Sequence, residues 1–288
     1  MVGPMHDEWK LSSRTAIEEG IGRAFDKYPD DEVRSVAQYI TFAGGHRWRG
    51  LCAIAAGSIF REDAPEYVLP SACGIELVQS ATLVLDDLPS MDDADIRRGK
   101  PTAHLVFPRW AVDLTPSYLL TIAYEMSLAH PLPEPDRRVW AAVELSRAGL
   151  TMIAGQVDDM KRIDSVVDLI ELARLKAGAF YAASVMIGGI LCGADDDAAK
   201  TLHDAGMNLG VSYQILDDIA DVTATREEIG KVPGSDGKLT TVVDWLGVDG
   251  ARAESSRMLE EADDQLSSFG PGADRLRALV SEASWKAF

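Results

Sequence analysis

Two apolar runs in this chain end in clusters of aspartate, and that pairing restricts the possible folds more than any other feature. Ala81-Thr-Leu-Val-Leu85 leads straight into Asp86-Asp87-Leu-Pro-Ser-Met-Asp92, and the run from Leu209 to Leu216 leads into Asp217-Asp218-Ile-Ala-Asp221. Carboxylates held beside a core need something to neutralise them. Each cluster also sits at the C-terminal end of a helical pattern, where the helix dipole disfavours anions. Hard divalent cations answer both problems, because they take carboxylate oxygens and bridge readily to phosphates.

The rest of the chain reads as helix. Apolar residues recur at three- and four-residue spacing over 15–27, 31–42, 69–85, 137–153 and 198–221. No alternating strand pattern or hairpin signal of the Asn-Gly or Asp-Gly kind interrupts them. Short turns punctuate the pattern at Gly44-Gly45, 131–135, 233–237 and Gly270-Pro271-Gly272. No turn is long enough to serve as a domain linker. The expectation is an all-α chain of ten or more helices, with residues 1–12 flexible and 13–288 forming one domain.

With 47% apolar residues the chain can bury a core, and 28 basic against 46 acidic residues give a net charge of −18. That balance excludes a nucleic-acid partner, whose affinity rests on Lys and Arg. Cys52, Cys73 and Cys192 are isolated in apolar sequence and read as buried, reduced thiols. There is no signal-peptide pattern, and the apolar stretch 177–192 falls short of the ~20 residues that span a bilayer. A soluble, cytoplasmic protein is expected.

Local geometry assigns roles within the clusters. Asp217 and Asp221, four residues apart, share a helical face flanked by Asp218, and Gln214 lies one turn before Asp218, placed to order a carboxylate. Pro89 breaks the helix after Asp86 and Asp87, leaving Asp92 beyond the break. By contrast Asp195-Asp196-Asp197 follow Gly193 and open a helix, where acidic residues simply suit the dipole. Asp158-Asp159, after Gln156, could support the site or be an exposed helix end. The cations are sparse and grouped: Arg97, Arg98 and Lys100 after the first cluster, Arg47 and Arg49 after the Gly44-Gly45 turn, and Lys176, Lys231 and Lys238 farther on. Arginine's planar fork suits phosphate. Two basic groups and two carboxylate groups fit two polyphosphates, one held through metal and one held directly.

Gly44-Gly45-His-Arg-Trp-Arg49, the run from Leu85 through Asp-Asp-Leu-Pro-Ser-Met-Asp-Asp-Ala-Asp-Ile-Arg-Arg-Gly-Lys-Pro-Thr102, Ala154-Gly-Gln156, Lys176-Ala-Gly178 and Tyr213-Gln-Ile-Leu-Asp-Asp-Ile-Ala-Asp221 together resemble the trans-isoprenyl diphosphate synthases. Residues 76–104 look especially like bacterial geranylgeranyl diphosphate synthases. The resemblance implies the isoprenoid synthase fold, a helical bundle around a deep central cavity, usually as a homodimer. It implies three Mg2+ ions held by Asp86, Asp87 and Asp92 on one wall and by Asp217, with Asp221, on the other. Those ions would bind an allylic diphosphate assisted by Arg97, Lys176, Lys231 and Lys238, with Gln214 supporting the second metal wall. Isopentenyl diphosphate would lie near His46, Arg49, Gln79 and Arg98.

The product tail is expected to grow along the helix that ends at Asp86. Ala81 lies about 7–8 Å below the metal site at ~1.5 Å rise per residue, and neither it nor Thr82 is aromatic. A product longer than fifteen carbons, geranylgeranyl diphosphate first, is expected. The departures from the family pattern cluster on the acceptor side: His46 stands where the family usually has Lys, Gln79 where it has His, Gly50 where it has Pro, and Ala177 where it has Thr. They leave open a terpene cyclase, a synthase with another acceptor, or a regulatory subunit of a heteromeric synthase.

Overall fold

Apolar side chains at helical spacing produce a nearly all-helical protein. The computed structural model describes residues 4–160, 165–223 and 240–283. Its first helices are α1 (Pro4–Phe25), α2 (Glu32–Thr41), α3 (Trp48–Gly57) and α4 (Ala64–Asp86). A two-residue ribbon follows, β1 (Ile96–Arg97) with β2 (Lys100–Pro101), then α5 (Ala103–Val106), α6 (Arg109–Leu128), α7 (Pro135–Asp159) and α8 (Val166–Ala173). One π turn (Arg174–Gly178) joins α8 to α9 (Ala179–Cys192). The last helices are α10 (Asp196–Thr223), α11 (Val242–Ser267) and α12 (Asp274–Ala283).

Helix ends fall where local chemistry satisfies the free backbone groups. Asp31 accepts from the Arg34 N–H at 2.9 Å to start α2, and Ser165 accepts from the Asp168 N–H to start α8. Thr241 and Asp244 form a reciprocal capping box at α11, and Gly247, at φ 67°, kinks that helix. As expected from the dipole argument, Asp195 accepts from the Ala198 N–H at the entry to α10.

Three expectations need correction. Helix α1 already begins at Pro4, and Lys10 and His6 both contact Glu282 of α12, so residues 4–12 are part of the fold rather than a loose end. A hairpin does exist: Arg98 (φ 52°) and Gly99 (φ 75°) form its two-residue turn, the left-handed pair that such tight turns require. Its sequence signal, Arg-Gly, lacked the usual Asn or Asp. Finally, the 64–86 helix and the 166–192 stretch are each long and apolar enough to cross a bilayer. Most of each is buried in the protein, 67% and 78% of the apolar window, so their character is spent on the core.

Those two segments occupy the centre. Residues 71–78 of α4 are buried on all sides, and so is all of α9 except Met186. α9 contacts α3, α7 and α10, while α4 contacts α3 and α6. Close approach of α3 to α9 requires Gly188, where a Cβ would stand 1.9 Å from the Ala53 carbonyl oxygen. All three cysteines are free and buried, and burial pushes the Cys73 and Cys192 thiols up to about 12.

Gly188→Ala is expected to force the α3 backbone away and cost about 1–3 kcal/mol of stability. Urea denaturation checks it; an unchanged midpoint would show that α3 and α9 can separate freely.

Candidate active site

The end of α4 and the loop beyond it bring the first aspartates together. Past Asp86 the chain turns at Pro89 and folds back, so that the Asp92 N–H donates to the Asp86 carbonyl at 2.9 Å. Asp87 is 2% exposed, and its Oδ1 accepts from Arg97 Nε at 2.6 Å across the hairpin. Its Oδ2 is buried with no hydrogen-bond partner.

Burial pushes the Asp86 carboxyl up to about 6; Lys176 and Arg97 pull it down, while Asp92 and Asp87 push it further up. Burial also raises Asp87 against the pull of Arg97, His104 and Arg98. Arg97 is raised: burial works against its charge, and Asp87 and the neighbouring aspartates overcome it. Lys176, presented by the π turn, reaches this wall and forms a short ion pair with Asp159 at the end of α7. Asp159 is therefore part of the site's support.

The second cluster lies on the last turns of α10. Gln214 Nε2 donates to Asp218 Oδ1 at 3.0 Å, the arrangement expected from their spacing. Asp217 and Asp221 do not present equally, however. Asp217 is exposed whereas Asp221 is buried, so Asp217 is the open carboxylate of that wall. Burial and the Asp217 charge both raise the Tyr213 phenol, and Arg49 and Arg98 lower it. Tyr213 thus links the second acidic wall to the basic one. Lys231 and Lys238 lie outside the described residues.

The basic wall centres on the turn before α3. The hairpin sends its two arginines opposite ways: Arg97 to Asp87, and Arg98 back to the Gly44 carbonyl at 2.7 Å. Gly45 (φ 102°) leaves room for this, since a Cβ there would lie 2.6 Å from Arg98. Burial and the nearby Arg47 lower Arg98. Arg47 itself is buried against the Thr41 carbonyl and Glu18, a structural position. His46 is exposed, Gln79 is half-buried, and the Arg49 guanidinium stacks on aromatic rings.

Two residues here escaped the sequence reading. Glu76, 5% exposed, accepts the Gly50 N–H at 2.8 Å. A charged residue inside the apolar run 72–78 was its available signal. The Gly50 departure is also explained, because proline has no N–H to give. The other, Tyr181, carried no signal, being one more large side chain in a core helix.

Ala81 does not face open space. It is 2% exposed and packed in the core, while Thr82 is half-buried and Leu85 is 41% exposed just before the aspartates. The short side chain there is filled in by its neighbours. Trp48 is buried, and His104 is half-buried with Nδ1 lacking a hydrogen bond.

The profile of the polyprenyl synthetase family matches residues 30–262. The chain belongs to that family. It is a prenyltransferase of the trans-prenyl diphosphate synthase class. It is 33% identical over 265 residues to geranylgeranyl pyrophosphate synthase 12, chloroplastic, of Arabidopsis thaliana, spanning 88% of this chain and 73% of that protein. It is 32% identical over 290 residues to a probable farnesyl diphosphate synthase of Sinorhizobium fredii, spanning 96% and 86%. The fold matches that of a geranyltransferase from Helicobacter pylori complexed with magnesium and isoprenyl diphosphate, at TM-score 0.82 and 24% identity over 98% of this chain and 97% of that one.

The carboxylates fit a divalent ion. Among the described residues no three Asp, Glu, His or Cys side chains surround one point. The unpaired Asp87 Oδ2 and the raised Asp86 instead offer oxygens whose remaining ligands would come from water or phosphate.

The raised Asp86 has a signed consequence. Its folded value lies above the unfolded one, so the native state binds more protons between pH 4 and 6 and is penalised above that window. The melting temperature of metal-free protein is expected to rise as pH is lowered from 7 to 5. Asp86→Asn should be the more stable at pH 7 and should flatten that rise; an equal slope in both proteins would place the titration elsewhere.

Proposed function

We propose that this chain condenses isopentenyl diphosphate with an allylic diphosphate and that its main product is geranylgeranyl diphosphate. The observation that carries the reading is the convergence of Asp86, Asp87 and Asp92 at the end of α4, with Arg97 and Lys176 beside them. Asp86, Asp87 and Asp92, with Asp217, would hold three magnesium ions, which when bound would neutralise the departing diphosphate. Arg97 and Lys176 hold phosphate oxygens directly, and Gln214 orients Asp218 on the opposite wall. The allylic carbon's bond to oxygen breaks with the electron pair leaving on oxygen. The isopentenyl double bond then forms the new carbon–carbon bond, and the adjacent carbon loses its proton to the released diphosphate. Arg49 and Arg98 bind the acceptor's diphosphate without metal.

Product length rests on the side chains of α4, because the two relatives carry names of different chain length. Ala81 is packed in the core, and the half-buried Thr82 on the adjoining face presents no ring to the growing tail. Incubation with magnesium, farnesyl diphosphate and isopentenyl diphosphate should give a twenty-carbon diphosphate by mass spectrometry. A hydrocarbon or alcohol formed without isopentenyl diphosphate would overturn the reading in favour of cyclisation or hydrolysis. Thr82→Phe, on the half-buried face, should shorten the product to fifteen carbons. Unchanged length in the folded variant would remove α4 as the ruler.

The assembly is read as a homodimer. α7 exposes Val139, Val143, Leu150, Ile153 and Val157 at helical spacing, an apolar stripe that a monomer would leave in water. Leu150→Glu combined with Ile153→Glu should yield monomers in analytical ultracentrifugation, and a dimer of unchanged affinity would move the interface elsewhere.

A further inference from the structure

Arg49 is held in an unusual way for a phosphate-binding arginine. Its guanidinium carbon lies 4.4 Å from the centroid of the Tyr181 ring, 5.2 Å from Phe180 and 6.0 Å from Tyr213. The two tyrosine rings are 5.4 Å apart and tilted by 42°. Among the described residues no carboxylate forms an ion pair with Arg49, and its Nε is buried without a hydrogen-bond acceptor. Glu76 has one oxygen engaged by the Gly50 N–H at 2.8 Å. The charge is therefore met by ring faces.

Helix packing builds this box. Gly188 allows α3 onto α9, and Gly210 allows α10 onto the same helix, where a Cβ would stand 2.8 Å from the Ala177 carbonyl and 2.9 Å from Tyr181 Cβ. Arg49 from α3 and Tyr213 from α10 consequently converge on Tyr181, which is 1% exposed. The Tyr181 hydroxyl makes no hydrogen bond. Its contribution is its ring.

The distinction matters chemically. A carboxylate partner would occupy the in-plane N–H donors of the guanidinium, the same donors that grip a diphosphate. A ring face holds the cation from above and leaves those donors available.

We propose that Tyr181 is a positioning residue for the acceptor site, fixing Arg49 by cation–π contact so that its in-plane donors meet the diphosphate of isopentenyl diphosphate. This inference rests on the acceptor role given to Arg49 above. The test compares Tyr181→Phe, which keeps the negative ring face, with Tyr181→Leu and with pentafluorophenylalanine at position 181, which keeps the ring's bulk but abolishes that negative face. Tyr181→Phe should leave the KM for isopentenyl diphosphate within about threefold. The other two should raise it about tenfold, while kcat and the KM for the allylic diphosphate change by less than threefold. The fluorinated variant keeps the question answerable if Tyr181→Leu does not fold. Equal behaviour of phenylalanine and its fluorinated form, or parallel changes for both substrates, would reduce Tyr181 to core packing and overturn the proposal. Calorimetry of inorganic diphosphate binding to the metal-free protein separates the two levels of inference. A tenfold loss on fluorination in a protein that ignores isopentenyl diphosphate would sink the acceptor reading and leave the positioning role standing.

Discussion

The contact between Asp87 and Arg97 ties the site together. It joins the C-terminal end of the central helix α4 to the first strand of the hairpin. A carboxylate that is 2% exposed, at the helix end where the dipole disfavours it, persists only with such a partner. Loss of one member of a buried pair of this kind costs about 3–5 kcal/mol, chiefly through the charge left behind. Arg98, one residue on in the hairpin turn, donates to the Gly44 carbonyl in the turn entering α3. Adjacent arginines of one hairpin thus tie the acidic wall to the basic one.

Much of this was legible in the sequence because it is local. Helices came from spacing, the break after Asp87 from Pro89, and the Gln214–Asp218 contact from a four-residue separation. What escaped was decided by partners distant in sequence. The burial of Ala81 depends on what packs against α4, and the unequal exposure of Asp217 and Asp221 depends on what covers the end of α10. Tyr181 looks like any other core aromatic until α3 and α10 bring Arg49 and Tyr213 to it. The hairpin was missed for a different reason. Arg98 adopts a left-handed conformation that its own propensity does not favour, and the hydrogen bond to Gly44 offsets that cost.

The departures on the acceptor side look different once Glu76 is in view. Proline at position 50 would leave the Glu76 carboxylate without the Gly50 N–H, and a buried carboxylate with fewer donors is costly. Glycine supplies that donor inside the first turn of α3, where backbone N–H groups lack intrahelical partners. Gly50 and Glu76 therefore form one unit that seats the turn bearing His46 and Arg49. The loss of a lysine at 46 removes a charge from an exposed position, where a single ion contact is worth about 0–1 kcal/mol. Arg49 and Arg98, both partly buried, lie in a lower dielectric, where on the proposed reading each would contribute more to holding an anion.

Counting charge on each wall explains why one anion would need metal and the other would not. Asp86, Asp87, Asp92 and Asp159 face Arg97 and Lys176, four negative groups against two positive. A diphosphate approaching that wall meets net repulsion, which the overall charge of −18 reinforces. Only added cations reverse the sign. On the other wall Arg49 and Arg98 outnumber Glu76, and the aromatic faces around Arg49 balance its charge without cancelling it. On the proposed reading an anion would bind there directly. The walls meet at Tyr213, whose phenol feels Asp217 from one side and both arginines from the other. The two walls therefore differ in sign, and on the proposed reading only the acidic one would need metal before it could take an anion.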